Sequence, residues 1–343
     1  MRHLLNTLYV TTQGAYLARD GETVAVRVEH ETRLRVPLHT LSGIVCFGQV
    51  SCSPPLMQLC AERGVRISFL SEYGQFWARV EGPVSGNVLL RRTQYRWADD
   101  QGQSTSIARS VVTAKVANCR AVLRRVLRDH PEIAGADEVG AAIKALESSV
   151  AAISRVQGLD AVRGVEGDAA RVYFAVFDHL VLAQKEEFFF RERSRRPPRD
   201  RLNAMLSFLY TLVMHDVRSA LETVGLDPAV GFLHRDRPGR PGLALDLMEE
   251  LRPVLADRLA VSLVNRQQIK GKGFTVTESG AVLMDDATRK EVLVAYQKRK
   301  QEELTHPFID EKVALGLLPF VQSLLLSRYL RGDLDGYPPF FWK

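Results

Sequence analysis

Gly82-Pro83-Val84-Ser85-Gly86 separates two stretches of sequence with different hydrophobic periods. Paired turn formers of this kind mark an exit from regular structure. Before them the pattern is that of strands. Thr7–Thr11 alternates, and Ala15–Ala18 leads to the hairpin pair Asp20-Gly21. Thr23–Val28 alternates again, Arg33–Pro37 is stopped by its proline, and Ile44–Gly48 reads as a short buried strand. Pro55–Arg63 fits one helix ended by Gly64, and Val65–Leu70 and Gln75–Val80 return to strand. After the break the period is helical. Ile107–Leu127 carries Val111, Val112, Ala114, Lys115, Val116, Asn118, Cys119, Val122 and Val126 in an amphipathic pattern that stops at His130-Pro131. Further helices are expected at Val139–Val156, Asp168–Leu182, Arg201–Val224, Leu243–Val264 with Pro253 inside, Thr288–Glu303 and Glu311–Leu330. Thr275–Thr277 and Val282–Met284, around Ser279-Gly280, read as an inserted hairpin, and the tail from Gly332 to Lys343 has no helical period. The fold class that follows is α+β: a small N-terminal β-rich domain, residues 1–86, then a larger, mainly α-helical domain, residues 87–343.

The 343 residues are 46% hydrophobic and 25% charged, enough for two domains with sizeable cores. No apolar run reaches the length of a membrane span, so no membrane association is expected. Met1–Asn6 has a basic residue but no apolar core of a signal peptide and reads as a strand entry. Net charge is +6, compatible with a polyanionic partner. Cys46, Cys52, Cys60 and Cys119 form no C-x-x-C pair. They read as small buried hydrophobes in a reducing compartment, which places the protein in the cytoplasm.

Three segments carry candidate chemistry. In Gly164-Val165-Glu166-Gly167-Asp168, glycines flank an acid just ahead of the expected helix. Taken alone, such an acid is one favoured by the helix dipole. In Gly231-Phe232-Leu233-His234-Arg235, an imidazole follows a short apolar run. A lone histidine is as readily a satisfied side chain as a ligand. In Leu245–Pro253, Asp246, Glu249 and Glu250 stand at i, i+3 and i+4, so all three could share one face, solvated or neutralised by a cation or by Arg252. Together, two carboxylates and one imidazole make a mixed O/N ligand set that suits Mg²⁺ or Mn²⁺. Such an ion would polarise a phosphodiester. The residues alone leave this as one metal site among several conceivable ones. Six arginines lie within Arg191–Arg201, where Arg191, Arg193, Arg195 and Arg196 are candidate phosphate contacts or parts of a solvated linker. Lys298-Arg299-Lys300, beside Glu302 and Glu303, reads as an ordinary exposed face.

These segments resemble the CRISPR-associated Cas-one family, the adaptation integrases. The resemblance is carried by Gly164-Val165-Glu166-Gly167 with Ala170 and Tyr173-Phe174, by Arg195–Asp200 leading to Asn203, Ser207 and Tyr210, by Gly231–His234, and by Leu243–Pro253. The order fits over the whole chain, and the wording is most similar to the type I-C variety. The resemblance implies a DNA endonuclease and integrase that inserts captured DNA fragments as spacers at a CRISPR repeat. It implies that Glu166, His234 and Glu249 bind the ion and carry catalysis, with Asp246 as a rival or supporting acid. It sets Arg252 near the scissile phosphate. It also implies double-stranded and branched DNA as substrates, a homodimer formed through the β-rich domain, and a larger complex with a dimer of the Cas-two partner. The alternative is a general metal-dependent nuclease acting on branched DNA in repair.

Overall fold

The computed structural model describes residues 7–41, 43–72, 76–80, 82 and 88–342. The expected strand entry at Met1–Asn6, the first residue of Gln75–Val80 and the boundary residues 83–86 lie outside them. The chain divides into two compact units, Met1–Gly86 and Asn87–Lys343. No helix among the described residues is long and apolar enough to cross a membrane.

The first unit holds β1 (Thr7–Val10), β2 (Tyr16–Asp20), β3 (Thr23–Val28), β4 (Glu31–Pro37), β5 (Gly43–Phe47), β6 (Ser51–Cys52), α1 (Pro54–Arg63), β7 (Arg66–Leu70) and β8 (Phe76–Val80). They form two four-stranded sheets of order β1-β5-β7-β8 and β4-β3-β2-β6. Leu17, Val24, Ile44, Leu56 and Ile67 meet in their shared core, while β4 is an exposed edge strand carrying Arg33 and Arg35. The ends of α1 follow from sequence. The Ser53 hydroxyl accepts the N–H of Leu56, prolines occupy the first turn, and Gly64 takes the left-handed φ of +69° that closes the helix.

The second unit is mainly helical: α2 (Val88–Asp99), α3 (Gln101–Asp129), α4 (Ala136–Ile153), α5 (Leu159–Ala175), α6 (Arg201–Thr223), α7 (Gly242–Arg252) and α8 (Arg258–Asn265). Then come the hairpin of β9 (Phe274–Val276) and β10 (Val282–Met284), α9 (Asp286–Gln301), β11 (Glu303–Thr305), β12 (Lys312–Ala314) and α10 (Leu318–Leu330). Helix α3 lies at its centre, packed against α4, α5 and α7. It is capped by Asp100, whose carboxylate accepts the N–H of Gln103, and it buries the expected stripe, Lys115 and Asn118 included.

Three expectations change. Helix α5 begins at Leu159, not Asp168. Val162, Ala169 and Tyr173 supply a buried stripe, and its packing outweighs the roughly 1 kcal/mol that each interior glycine costs. Glu166 therefore sits inside a helix and not at its entrance. The stretch expected as one helix over Glu311–Leu330 starts as a strand. Lys312–Ala314 pairs with Glu303–Thr305, and the helix begins only where Pro319 occupies its first turn. At Pro253 the helix neither bends away nor restarts: residues Pro253–Asp257 widen into a π turn before α8. Proline lacks the N–H that would serve the carbonyl of Glu249, four residues back, so the ladder shifts by one residue.

Candidate metal centre

The first candidate ligand follows from α5. Glu166 projects from it toward α3 and forms an ion pair with Lys115. Its side chain is 26% exposed, whereas that of Lys115 is 3% exposed. The second lies on α7. Glu249 is buried, with Oε2 2.7 Å from the same Lys115 Nζ. Arg252 grips Glu249 from one turn on, with Nη1 donating to Oε1 at 3.1 Å and Nη2 3.1 Å from Oε2. Both oxygens of this buried carboxylate thus face cationic groups. Burial alone would raise the Glu249 carboxyl. Arg252 and Lys115 outweigh it and hold the group well below the ordinary carboxylate range.

His234 is delivered by the loop between α6 and α7. That loop is fixed from several sides. Gln94 on α2 donates to the carbonyls of Asp227 and Val230 at 2.7 and 2.8 Å, and Arg163 on α5 donates to the carbonyl of Leu233 at 2.7 Å. Gly231 packs so closely on the start of α7 that a Cβ there would lie 2.6 Å from the carbonyl carbon of Gly242. The Asp246 carboxylate completes the clamp. Oδ2 accepts the N–H groups of Phe232 and Leu233, and Oδ1 accepts the N–H of His234 at 3.0 Å and meets His234 Nδ1 at 2.6 Å. A carboxylate that already accepts three N–H groups takes the imidazole hydrogen as well. Nδ1 is then the donor, and Nε2 keeps its lone pair for a ligand.

The three acids of α7 do not share one face. All three are buried, each with its own partners. Asp246 faces the histidine loop and Glu249 faces Lys115 and Arg252. Glu250 faces the tail, where it accepts from the Tyr337 hydroxyl and, at 2.6 Å, from the Phe340 N–H. Burial raises its carboxyl to about 7 against the pull of those donors and of Gln322. Offsets of three and four residues span enough helix circumference for three different neighbours to be met.

Among the described residues no group of three or more His, Cys, Asp and Glu side chains is gathered closely enough to hold a metal ion. Glu166 and Glu249 instead converge on the Lys115 ammonium. The donor set fits a divalent cation chemically. Two carboxylates from different helices already surround one positive charge, and an oriented imidazole keeps a free lone pair. Sequence reasoning places Lys115 only in an amphipathic pattern. The signal that finds it is a lysine among Val111, Val112, Cys119 and Val122, since a charge on a buried stripe requires partners of opposite sign.

The basic segment divides in two. Arg191, Arg195, Arg196 and Arg199 are exposed. Arg193 is engaged internally: it donates to Asn203 Oδ1 at 2.5 Å and to Ser207 Oγ at 3.2 Å, and lies over the Tyr210 ring. Arg252, the other candidate phosphate contact, is buried over the same ring, 5.1 Å from its centroid. Tyr210 in turn donates to Asp257 at 2.6 Å, an acid brought inward by the π turn. Lys300 and Arg299 are buried rather than exposed, because Asp216 and Glu302 neutralise them. The four cysteines are free, and burial raises the thiols of Cys46 and Cys60 to about 12, so they pack as hydrophobes.

A family described as CRISPR associated protein Cas1 matches residues 8–298. The CRISPR-associated endonuclease Cas1 1 of Chlorobaculum tepidum is 53% identical over 343 residues, covering all of both chains. The CRISPR-associated endonuclease Cas1 2 of Rhodospirillum rubrum is 52% identical over 351 aligned positions, again covering both chains fully. Among solved structures, a Cas1 protein from Thermotoga maritima superposes with a TM-score of 0.81 at 22% identity, covering 98% of this chain and 100% of that one. A casposase bound to integration product gives a TM-score of 0.83 at 22% identity, with 98% and 94% covered. At that identity both likenesses bear on the fold, and both share its β-rich unit followed by a helical one. The match over most of the chain and the full-length relatives place the chain in the CRISPR-associated Cas1 (Cas-one) family.

Proposed function

We propose that this chain is a metal-dependent DNA endonuclease and strand-transfer enzyme of CRISPR adaptation, of the type I-C variety. Glu166, His234 and Glu249 would hold Mg²⁺ or Mn²⁺. The observation that carries this reading is the convergence of Glu166 and Glu249, from α5 and α7, on a single positive charge. The third member of the set is an imidazole oriented by Asp246, on the same helix as Glu249. When bound, the ion supplies charge stabilisation at the phosphate and lowers the barrier to deprotonating the attacking hydroxyl.

The chain's own residues do the rest. Asp246 holds the imidazole in one tautomer and is a supporting acid, since its lone pairs already serve four donors. The exposed Arg191, Arg195 and Arg196 bind phosphates of double-stranded or branched DNA. In the reaction the 3′-oxygen of a captured fragment forms a bond to a phosphorus at the repeat boundary. The bond from that phosphorus to its former 3′-oxygen breaks, and the displaced oxygen takes up a proton. Water in place of the fragment's hydroxyl gives hydrolysis at the same site. The relatives' name, endonuclease, supports this chemistry. A complex named for Cas1 and Cas2 among structures of like fold supports a Cas2 (Cas-two) partner. The β-rich unit, residues 1–86, would form a homodimer, and the assembly would work in the cytoplasm.

The test is joining of a duplex fragment into a supercoiled plasmid bearing a CRISPR repeat. It is run with and without the Cas2 partner, in Mg²⁺, Mn²⁺ or EDTA, beside Glu166→Ala and His234→Ala. Metal-dependent joining lost in both variants at unchanged melting temperature is expected. Joining that survives both substitutions refutes the site. Cleavage of branched DNA by the chain alone, without joining, refutes the adaptation role in favour of a repair nuclease.

A further inference from the structure

Lys115 has the surroundings of a core residue and the charge of a surface one. It stands on the buried stripe of α3 with Val111, Val112 and Cys119, and its side chain is almost fully enclosed. An ammonium in such a place is retained only with anionic partners. It has two, on two other helices: Glu166 of α5 and Glu249 of α7. Arg252 lies on both oxygens of Glu249. The two carboxylates are thus matched by two cations of the chain itself.

We propose that Lys115 is a built-in counter-ion: its ammonium occupies the cation position between Glu166 and Glu249 and must withdraw before Mg²⁺ or Mn²⁺ can be held there. The inference rests on the metal reading above. A +2 ion and an ammonium cannot share two carboxylates at contact distance without strong repulsion. The lysine therefore sets the affinity of the site. It keeps the two acids assembled while metal is absent, and it weakens metal binding by the free energy needed to displace it. This makes Lys115 a positioning residue, acting through Glu166 and Glu249 and not on the substrate.

The test measures Mn²⁺ binding to the full chain by electron paramagnetic resonance of free Mn²⁺ and by calorimetry. It uses wild type, Lys115→Met, Lys115→Arg and Glu166→Gln. Lys115→Met should bind Mn²⁺ at least tenfold more tightly, because one competing positive charge is gone, whereas Lys115→Arg should stay within roughly threefold of wild type. Lys115→Met should also melt lower in EDTA and gain more from Mn²⁺ than wild type does. Binding that Glu166→Gln abolishes, yet that is equal or weaker in a folded Lys115→Met, overturns the proposal and leaves the metal reading standing. Absence of Mn²⁺ binding in both wild type and Lys115→Met overturns the metal reading, and the proposal with it. Lys115 in the wild-type chain gives an answer even where the variant does not fold. Its acetylation by a small active ester, read by mass spectrometry, should speed up when Mn²⁺ is added. An unchanged rate at saturating Mn²⁺ overturns the proposal.

Discussion

His234 Nδ1 lies 2.6 Å from Asp246 Oδ1, so the imidazole of one loop is fixed to the helix that also carries Glu249. The same carboxylate receives three consecutive backbone N–H groups, from Phe232, Leu233 and His234. Asp246 thereby shapes the loop and orients the ring in a single contact set. An acid with a free lone pair would be a ligand; this one spends its lone pairs on the chain.

Asp246→Asn should therefore act first on stability. Its amide N–H₂ would face N–H donors in a buried site, leaving groups unsatisfied at a cost of roughly 2–4 kcal/mol. For a helical unit of this size that lowers the melting temperature by roughly 5–15 °C. A variant that melts with wild type in differential scanning calorimetry contradicts the clamp.

Glu250 makes stability depend on pH. Burial raises its carboxyl from 4.5 to about 7. Between those values the folded chain keeps a proton that the unfolded chain has released. The contribution of neutral Glu250 is then full below about pH 4.5 and is lost as pH rises through 7. Glu250→Gln, which is neutral at every pH, should gain stability relative to wild type between pH 5 and pH 8. The gain is at most about 3 kcal/mol, the worth of a shift of that size. Urea titrations that give the same difference at both pH values would show that Glu250 is ionised throughout.

The tail that covers Glu250 should matter through one phenylalanine and not its neighbour. Phe340 is fully buried, and its backbone bonds Glu250 and Asn118, whereas Phe341 is 38% exposed. Phe340→Ala should cost about 3–5 kcal/mol. Phe341→Ala should change stability by no more than about 0.5 kcal/mol. Equal effects in chemical denaturation would mean that the tail is not docked as described.

The arginines of residues 191–201 should separate by assay. Arg195→Ala with Arg196→Ala should weaken DNA binding and lower the slope of log affinity against log salt by about one for each phosphate left without its arginine, at unchanged melting temperature. Arg193→Ala should lower the melting temperature, because it removes one of the two donors to Asn203 Oδ1 and the donor to Ser207 Oγ. Fluorescence anisotropy over a salt series, paired with thermal melts, checks both; a destabilised Arg195/Arg196 double variant counts against the division.

The α+β class is legible in the strand and helix periods because each kind of element buries one regular face, as Val24 and Val26 do in β3 and Val111 and Val122 in α3. The candidate site is legible in its residue types and much less so in its connections. Glu166 reads as a helix entrance because glycine disfavours helix interiors locally, whereas the stripe of Val162, Ala169 and Tyr173 decides the matter globally. Arg193 reads as a phosphate contact from charge alone, and Arg252 is set near a phosphate only by the family resemblance. The partners Asn203 and Tyr210 are set by tertiary packing that spacing does not encode, whereas the Glu249–Arg252 pair, at i and i+3 of one helix, is within reach of spacing. Glu303–Thr305 and Lys312–Ala314 are only three residues each, too short for a period to register.

The docked tail also bears on the order of events during synthesis. Asn118 waits for a carbonyl 222 residues further along the chain, and Glu250 waits for an N–H 90 residues further along. Contacts of such span close late in folding. Until residues 337 to 340 emerge, α7 is held to α3 through the Asn118 amide on the Glu250 carbonyl, but the Glu250 carboxylate lacks its Tyr337 and Phe340 donors. A nascent chain therefore brings Glu166 and Glu249 together around Lys115 before the tail has docked on Asn118 and Glu250.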